Sequence, residues 1–382
     1  MRGRTASVSF GGAAAIACAV AAGAAHAGPV TLTFFYTTDV GGEDVWKTTA
    51  TYTGNGTNGN GTFGVAAGTG IAAVPLADGL VFNPNNNFLL VGGQGNSIFQ
   101  VNPSNGSFTT AAPGMTAFEL TVDPNKQVVW SGGAEVGDPH ISSTPINPFG
   151  AAGTPVVVSG SVSTITHITF APNLPTGTAY YTSAAGISGN SAHFGTINLA
   201  TGVTTDILTG AGTGALWHGM VLDPFSGDLI LAGGNEVVQI NPLTDAIIST
   251  LLLPAGLNLD LGAVDGQGHI LWADNNGVLL FIDYSTTGLV GSANNFVSDN
   301  FFQSNIDDIA PLIGAGAPTP EPASMSLLVA GLAGMWLLRR GRRRAQQRTA
   351  IRKTRTTPTG AVVIFARCRA RRLPDRTRRR LG

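Results

Sequence analysis

The sequence has 382 residues, enough for one large domain or two modest ones, and its formal net charge of −1 conceals a strong segregation. Between Gly28 and Leu338 two basic residues, Lys47 and Lys126, stand against 21 acidic ones, a net of −19; from Arg339 onward 17 basic residues stand against Asp375 alone, a net of +16. So acidic a body excludes nucleic acid and anionic lipid as its partners and favours cations, and with Cys18 and Cys368 both outside it, it holds neither a disulfide nor a thiolate metal centre.

Residues 1–27 read as a secretory signal. Arg2 and Arg4 supply the positive start, Phe10 to Gly23 is apolar and small, and Ala25-His26-Ala27 gives the small-x-small pattern that a signal peptidase needs. The mature chain is then expected to begin at Gly28. A lipoprotein site at Cys18 is the alternative, but Ala15 stands three residues before it where a Leu is expected, and the apolar run continues past the cysteine.

Residues 28–314 repeat. The unit is an apolar strand ending in Asx-Pro or a variant of it, a polar turn, and a second apolar strand ending in small residues. It occurs at Gly79 to Gly93, Leu120 to Gly133, Ile168 to Thr182, Gly219 to Gly234 and Gly262 to Asp274. The turn residues Asn83, Asp123, Ala171, Asp223 and Asp265 are spaced by 40, 48, 52 and 42 residues. A third strand follows in several copies and ends in a tight turn, as at Asn105-Gly106 and Thr201-Gly202. Pro fixes φ and Gly accepts positive φ, so these pairs are turn chemistry. Four short strands at such a period predict an all-β fold, a β-propeller. Five inner strands begin near residues 78, 118, 167, 218 and 260, and a sixth is read at Ile306 to Leu312. Three orphan strands at the other end, Val30–Thr37, Trp46–Thr53 and Gly61–Ala66, are expected to pair with it, complete a sixth blade and remove the exposed edges. Seven blades is the alternative count; a β-sandwich explains the strands but not the repeat. In pattern the body resembles the exported propellers that include NHL-like and lactonase-like proteins.

The residue just before each inner strand is polar: Asp78, Glu119, His167, His218, Asp260, and Asp307 or Asp308, with Asp307 taken as the sixth member. Inner strands line a propeller's channel, so these positions form a ring at one mouth. Carboxylates with two imidazoles suit a divalent cation such as calcium, or an acid–base pair. The competing reading is that polar groups simply keep a channel mouth solvated. His140, His193 and His269 fall in turns or early in later strands with no paired spacing, and no nucleophile elbow or phosphate loop is present.

After a linker at 315–322, Pro320-Glu321-Pro322 precedes an apolar run, Ala323 to Leu338, and then Arg339, Arg340 and Arg342 to Arg344. This order resembles the PEP-CTERM sorting signal. The run of 16 residues, about 24 Å as a helix, is expected to span or nearly span a membrane, with the arginines on the cytoplasmic side; an ordinary tail anchor is the alternative. The resemblance implies processing by an exosortase-type membrane protease and delivery to the cell surface or an exopolysaccharide matrix. Family members end soon after the arginines, whereas this chain continues; the Arg-rich segment to 382 is read as a disordered extension. Two functions follow as expectations. One is a non-enzymatic surface propeller that binds a partner such as exopolysaccharide or contributes structure. The other is a metal-dependent propeller enzyme, lactonase- or lyase-like.

Overall fold

The computed structural model describes residues 29–312, except 39–44, 58, 134–136, 152, 184–192, 210–216, 303–305 and 311. The signal segment, the Pro-Glu-Pro motif, the apolar run and the basic tail lie outside the described residues. Among the described residues the structure is all β, with 26 strands.

The chain enters through β1 (Val30–Thr38), β2 (Val45–Gly54), β3 (Gly61–Val65) and β4 (Thr69–Ala72). Blade I follows as β5 (Ala77–Phe82), β6 (Leu89–Gly93), β7 (Ile98–Val101) and β8 (Phe108–Ala111). Blade II is β9 (Leu120–Val122), β10 (Val128–Gly132), β11 (His140–Pro145) and β12 (Val156–Val157). The short β13 (Ser159–Gly160) then crosses to blade III, where it pairs in parallel with β17 (Val203–Thr209). That blade's other strands are β14 (His167–Thr169), β15 (Thr178–Ser183) and β16 (His193–Asn198). Blade IV is β18 (Gly219–Leu222), β19 (Leu229–Gly233), β20 (Glu236–Asn241) and β21 (Ala246–Leu252). Blade V is β22 (Leu259–Val264), β23 (His269–Asp274), β24 (Val278–Asp283) and β25 (Phe296–Phe301), after which β26 (Ile306–Ile309) ends the fold.

Closure follows the expected route. Strand β26 pairs antiparallel with β1, Tyr36 opposite Ile309 and Thr38 opposite Ile306, so blade VI has the order β26-β1-β2-β3. Inner strands β5, β9, β14, β18, β22 and β26 each contact the next, and β26 returns to β5. The ring therefore has six blades. β26 is shorter than the strand read to Leu312: it ends at Ile309, with the Ala310 N–H still bonded to the Phe35 carbonyl at 2.9 Å.

The repeat's punctuation is the turn chemistry it was read as. Asp123 accepts from the Asn125 N–H at 3.0 Å and the Gln127 N–H at 2.7 Å, and Asp223 from the Phe225 N–H at 3.1 Å and the Ser226 N–H at 3.0 Å. Gly106 and Gly202 end the third-strand turns at φ of +72° and +69°, and a Cβ on either would lie 2.1 or 2.0 Å from a carbonyl oxygen. The core is divided in the same rhythm. Six apolar clusters each lie between successive blades, as where Leu90 and Ile98 of blade I meet Leu120 and Val129 of blade II. Each buried aliphatic side chain contributes about 1.5–3 kcal/mol relative to exposure. With no cysteine in the body, these interfaces and the strand ladders hold the ring.

Candidate functional site

Repetition places one polar residue at the N-terminal end of each inner strand. Asp78, Glu119, His167, His218, Asp260, Asp307 and Asp308 are all buried, none more than 8% exposed. Gly79 and Gly219, which follow two of them, are needed for the close approach of neighbouring inner strands: a Cβ there would lie 2.6 Å from the Phe118 carbonyl oxygen and 2.4 Å from that of Asp260.

Three of these groups converge. Glu119, Asp260 and Asp308 each bring a carboxylate oxygen within 4.8 Å of the others. Glu119 belongs to blade II and Asp260 to blade V, three blades apart in a ring of six, so their contact crosses the channel axis. Of the two candidates on the sixth strand, Asp308 enters the trio; the charge of Asp307 also acts on Glu119. Thr37 ties this corner together: its hydroxyl donates to the Asp78 carbonyl at 2.8 Å and accepts from the Asp308 N–H at 3.0 Å.

The imidazoles flank the trio. His167 Nδ1 lies 3.1 Å from Glu119 Oε2, and its Nε2 lies 3.1 Å from Thr121 Oγ1. His218 Nδ1 lies 3.6 Å from Asp260 Oδ1, whose second oxygen accepts from Asn275 Nδ2 at 3.0 Å. Both ring nitrogens of His167 are thus engaged within the protein.

Protonation follows from burial and neighbours. Burial, then the negative charges of Asp260 and Asp78, hold the Glu119 carboxyl well above the usual carboxylate range. Burial pushes His167 down to about 3, so it is neutral. Burial also acts upward on Asp260, but His218 and the hydrogen bonds from His218, Asn275 and Glu119 outweigh it and leave its pKa lowered. The two carboxyls are thus driven in opposite directions, Glu119 toward its protonated form and Asp260 toward its ionised one. An all-oxygen trio of this kind has the donor chemistry of a hard divalent cation such as calcium.

The other described histidines are also paired through Nδ1: His140 with Asp138 at 2.5 Å, His193 with Asp206 at 3.0 Å, and His269 with Asp265 at 2.6 Å. Sequence reading did not single out Thr37, Thr121 or Asn275. A hydroxyl within a strand and an amide in a strand-end turn carry no spacing signal.

This geometry defines an all-β, six-bladed β-propeller with a buried acidic ring. No family model matches the chain, and comparison with the curated proteins finds no match. Among solved structures it is similar to a chain in the crystal structure of a nidogen–laminin complex, with 14% identity and a TM-score of 0.52 over 74% of this chain and 98% of that one. It is also similar to a chain of Kuenenia stuttgartiensis hydrazine synthase, 12% identical with a TM-score of 0.46 over 69% and 86%. The WD40 β-propeller domain of Doa1 is 14% identical with a TM-score of 0.39 over 56% and 66%. At such identities the likeness concerns the fold alone, and the first of the three supports the propeller.

Proposed function

We propose that this chain is an exported envelope protein, processed through a PEP-CTERM and exosortase-type signal, whose propeller binds a partner or builds structure at the cell surface or in the matrix. The address rests on the sequence: the leader ending at Ala25-His26-Ala27, the Pro320-Glu321-Pro322 motif, the apolar run and the arginines after it. The observation that carries the non-enzymatic reading is the burial of the ring. Glu119 is held against His167 and Asp260 against His218, with the two carboxyls close together across the axis, which joins blades rather than presenting a nucleophile or base to solvent. A body of net charge −19 favours neutral or cationic partners, uncharged exopolysaccharide among them. The test is fractionation of an exosortase-bearing bacterium expressing the full chain. Processed protein is expected in the surface fraction, and Glu321→Ala is expected to leave unprocessed protein in the inner membrane. Equal release of both forms would sink the sorting assignment.

A second reading, a metal-dependent lactonase- or lyase-like enzyme, is favoured by one observation, the convergence of Glu119, Asp260 and Asp308. It requires stoichiometric calcium binding that Asp260→Asn abolishes, together with an activity that the double change His167→Ala and His218→Ala removes. Calcium binding without such an activity leaves a metal-stabilised binder.

A further inference from the structure

Away from the acidic end, each inner strand turns apolar. Leu80, Leu120, Met220 and Leu261 are buried, and beyond them Val81, Val122, Phe170 and Val221 are half-buried. These side chains wall a cavity of about 310 Å³ whose lining comes from β5, β9, β14, β18 and β22. Only the channel axis is shared by five inner strands, so the cavity lies there. The change from buried to half-buried walls shows that it opens at the mouth carrying the Asx-Pro turns, with Pro224 on its rim.

The few polar groups in the wall are already satisfied. The Thr121 hydroxyl donates to the Ile168 carbonyl, and the Thr169 hydroxyl donates to the Met220 carbonyl at 3.1 Å. His167 has Glu119 on Nδ1 and Thr121 on Nε2. No ionised group lines the space. A water there finds few of the two to four partners that an ordered buried water requires, while the size falls in the range of roughly 300–1,000 Å³ typical of small-molecule sites.

We propose that this axial cavity is a binding site for an uncharged, apolar small molecule of about one or two ring units. A charged ligand would lose its hydration against walls that return no counter-charge. A strongly polar one would forfeit hydrogen bonds that the two wall hydroxyls, both already donating, could replace only in part. The inference is independent of where the chain is delivered.

The propeller closes on itself within residues 30–309 and lies wholly in the first of the two units into which the chain divides at Thr319, so residues 28–319 serve for the test. The probes are the neutral fluorophore N-phenyl-1-naphthylamine in solution and bromobenzene soaked into crystals. One saturable site per chain is expected, with bromine density between Leu120 and Met220. Val122→Trp at the mouth is expected to weaken fluorophore binding at least tenfold without lowering the melting temperature, and Leu243→Gln on the outer rim to leave it unchanged. If Val122→Trp does not fold, Val81→Trp takes its place. The proposal is overturned by the lack of a saturable site, by bromine density elsewhere, by a neighbouring copy's side chain filling the cavity, or by unchanged binding in both mouth variants.

Discussion

Glu119 and Asp260 are both buried carboxyls, yet their surroundings drive them in opposite directions, one toward the acid and one toward the ion. Glu119→Gln keeps shape, neutrality and a donor, so it is expected to cost less than about 1 kcal/mol. Asp260→Ala strands His218 and Asn275 and is expected to cost about 3–5 kcal/mol, as removal of one member of a buried charged pair does. Urea unfolding of residues 28–319 at pH 7 separates the two; equal losses would show that Glu119 is ionised. His269 gives a second handle. Burial acts to lower its pKa, but its hydrogen bonds and charge contacts with Asp265 and Asp283 prevail and raise it from 6.5 to about 9. A raised histidine contributes stability that is fully present below pH 6.5 and is lost as pH rises through 9. The melting temperature of the wild type is therefore expected to fall across that window, and that of His269→Gln to change less. Parallel curves would remove His269 from the account.

At the scale of the strand and turn, the demand on glycine differs between positions of similar backbone. Gly106 and Gly177 both have positive φ, but a Cβ at Gly106 meets the Ile71 carbonyl oxygen at 2.1 Å, whereas one at Gly177 meets nothing within 4 Å. Gly177→Ala is expected to cost about 1 kcal/mol of backbone strain, and Gly106→Ala clearly more, since the fourth strand of blade I must also shift away from the β4 end. Chemical denaturation of the pair measures the difference. These turns were legible because Asx and Gly have few other reasons to recur at a fixed distance. So was the polar ring position, since a residue at the same place in every copy must share one location. The choice between Asp307 and Asp308 was not legible: successive residues on a strand face opposite sides, and the β1–β26 register shifts between Tyr36 and Thr38. Strand β13, two residues paired in parallel with β17, has no pattern long enough to read. Nor did the sequence separate cavity wall from core, because Leu80 lines the cavity and Leu89 does not, and the two are alike in type.

Over the whole molecule, neither end of the chain makes blade VI alone. Thr37 and Asp308 are hydrogen-bonded across 271 residues, and the clusters on both sides of blade VI depend on that pairing. Ending the chain before β26 removes the inner strand of one blade and opens both flanking interfaces. The truncated protein is expected to lose its single cooperative unfolding transition, whereas ending it at Thr319 retains it. Calorimetry of the two forms decides, and a sharp transition in the shorter form would mean that the ring does not need its clasp.

The shared blade also sets an order of events. A chain is made from its N-terminus, so β1, β2 and β3 exist long before their last partner, and throughout that time β1 presents a bare edge where β26 belongs. Such an edge is a template for any strand of matching register, including the β26 of another copy. Contacts this distant in sequence also form slowly. Anything that delays the arrival of residues 306–309 therefore lengthens the interval in which two chains can exchange clasps and leave as an interlocked pair.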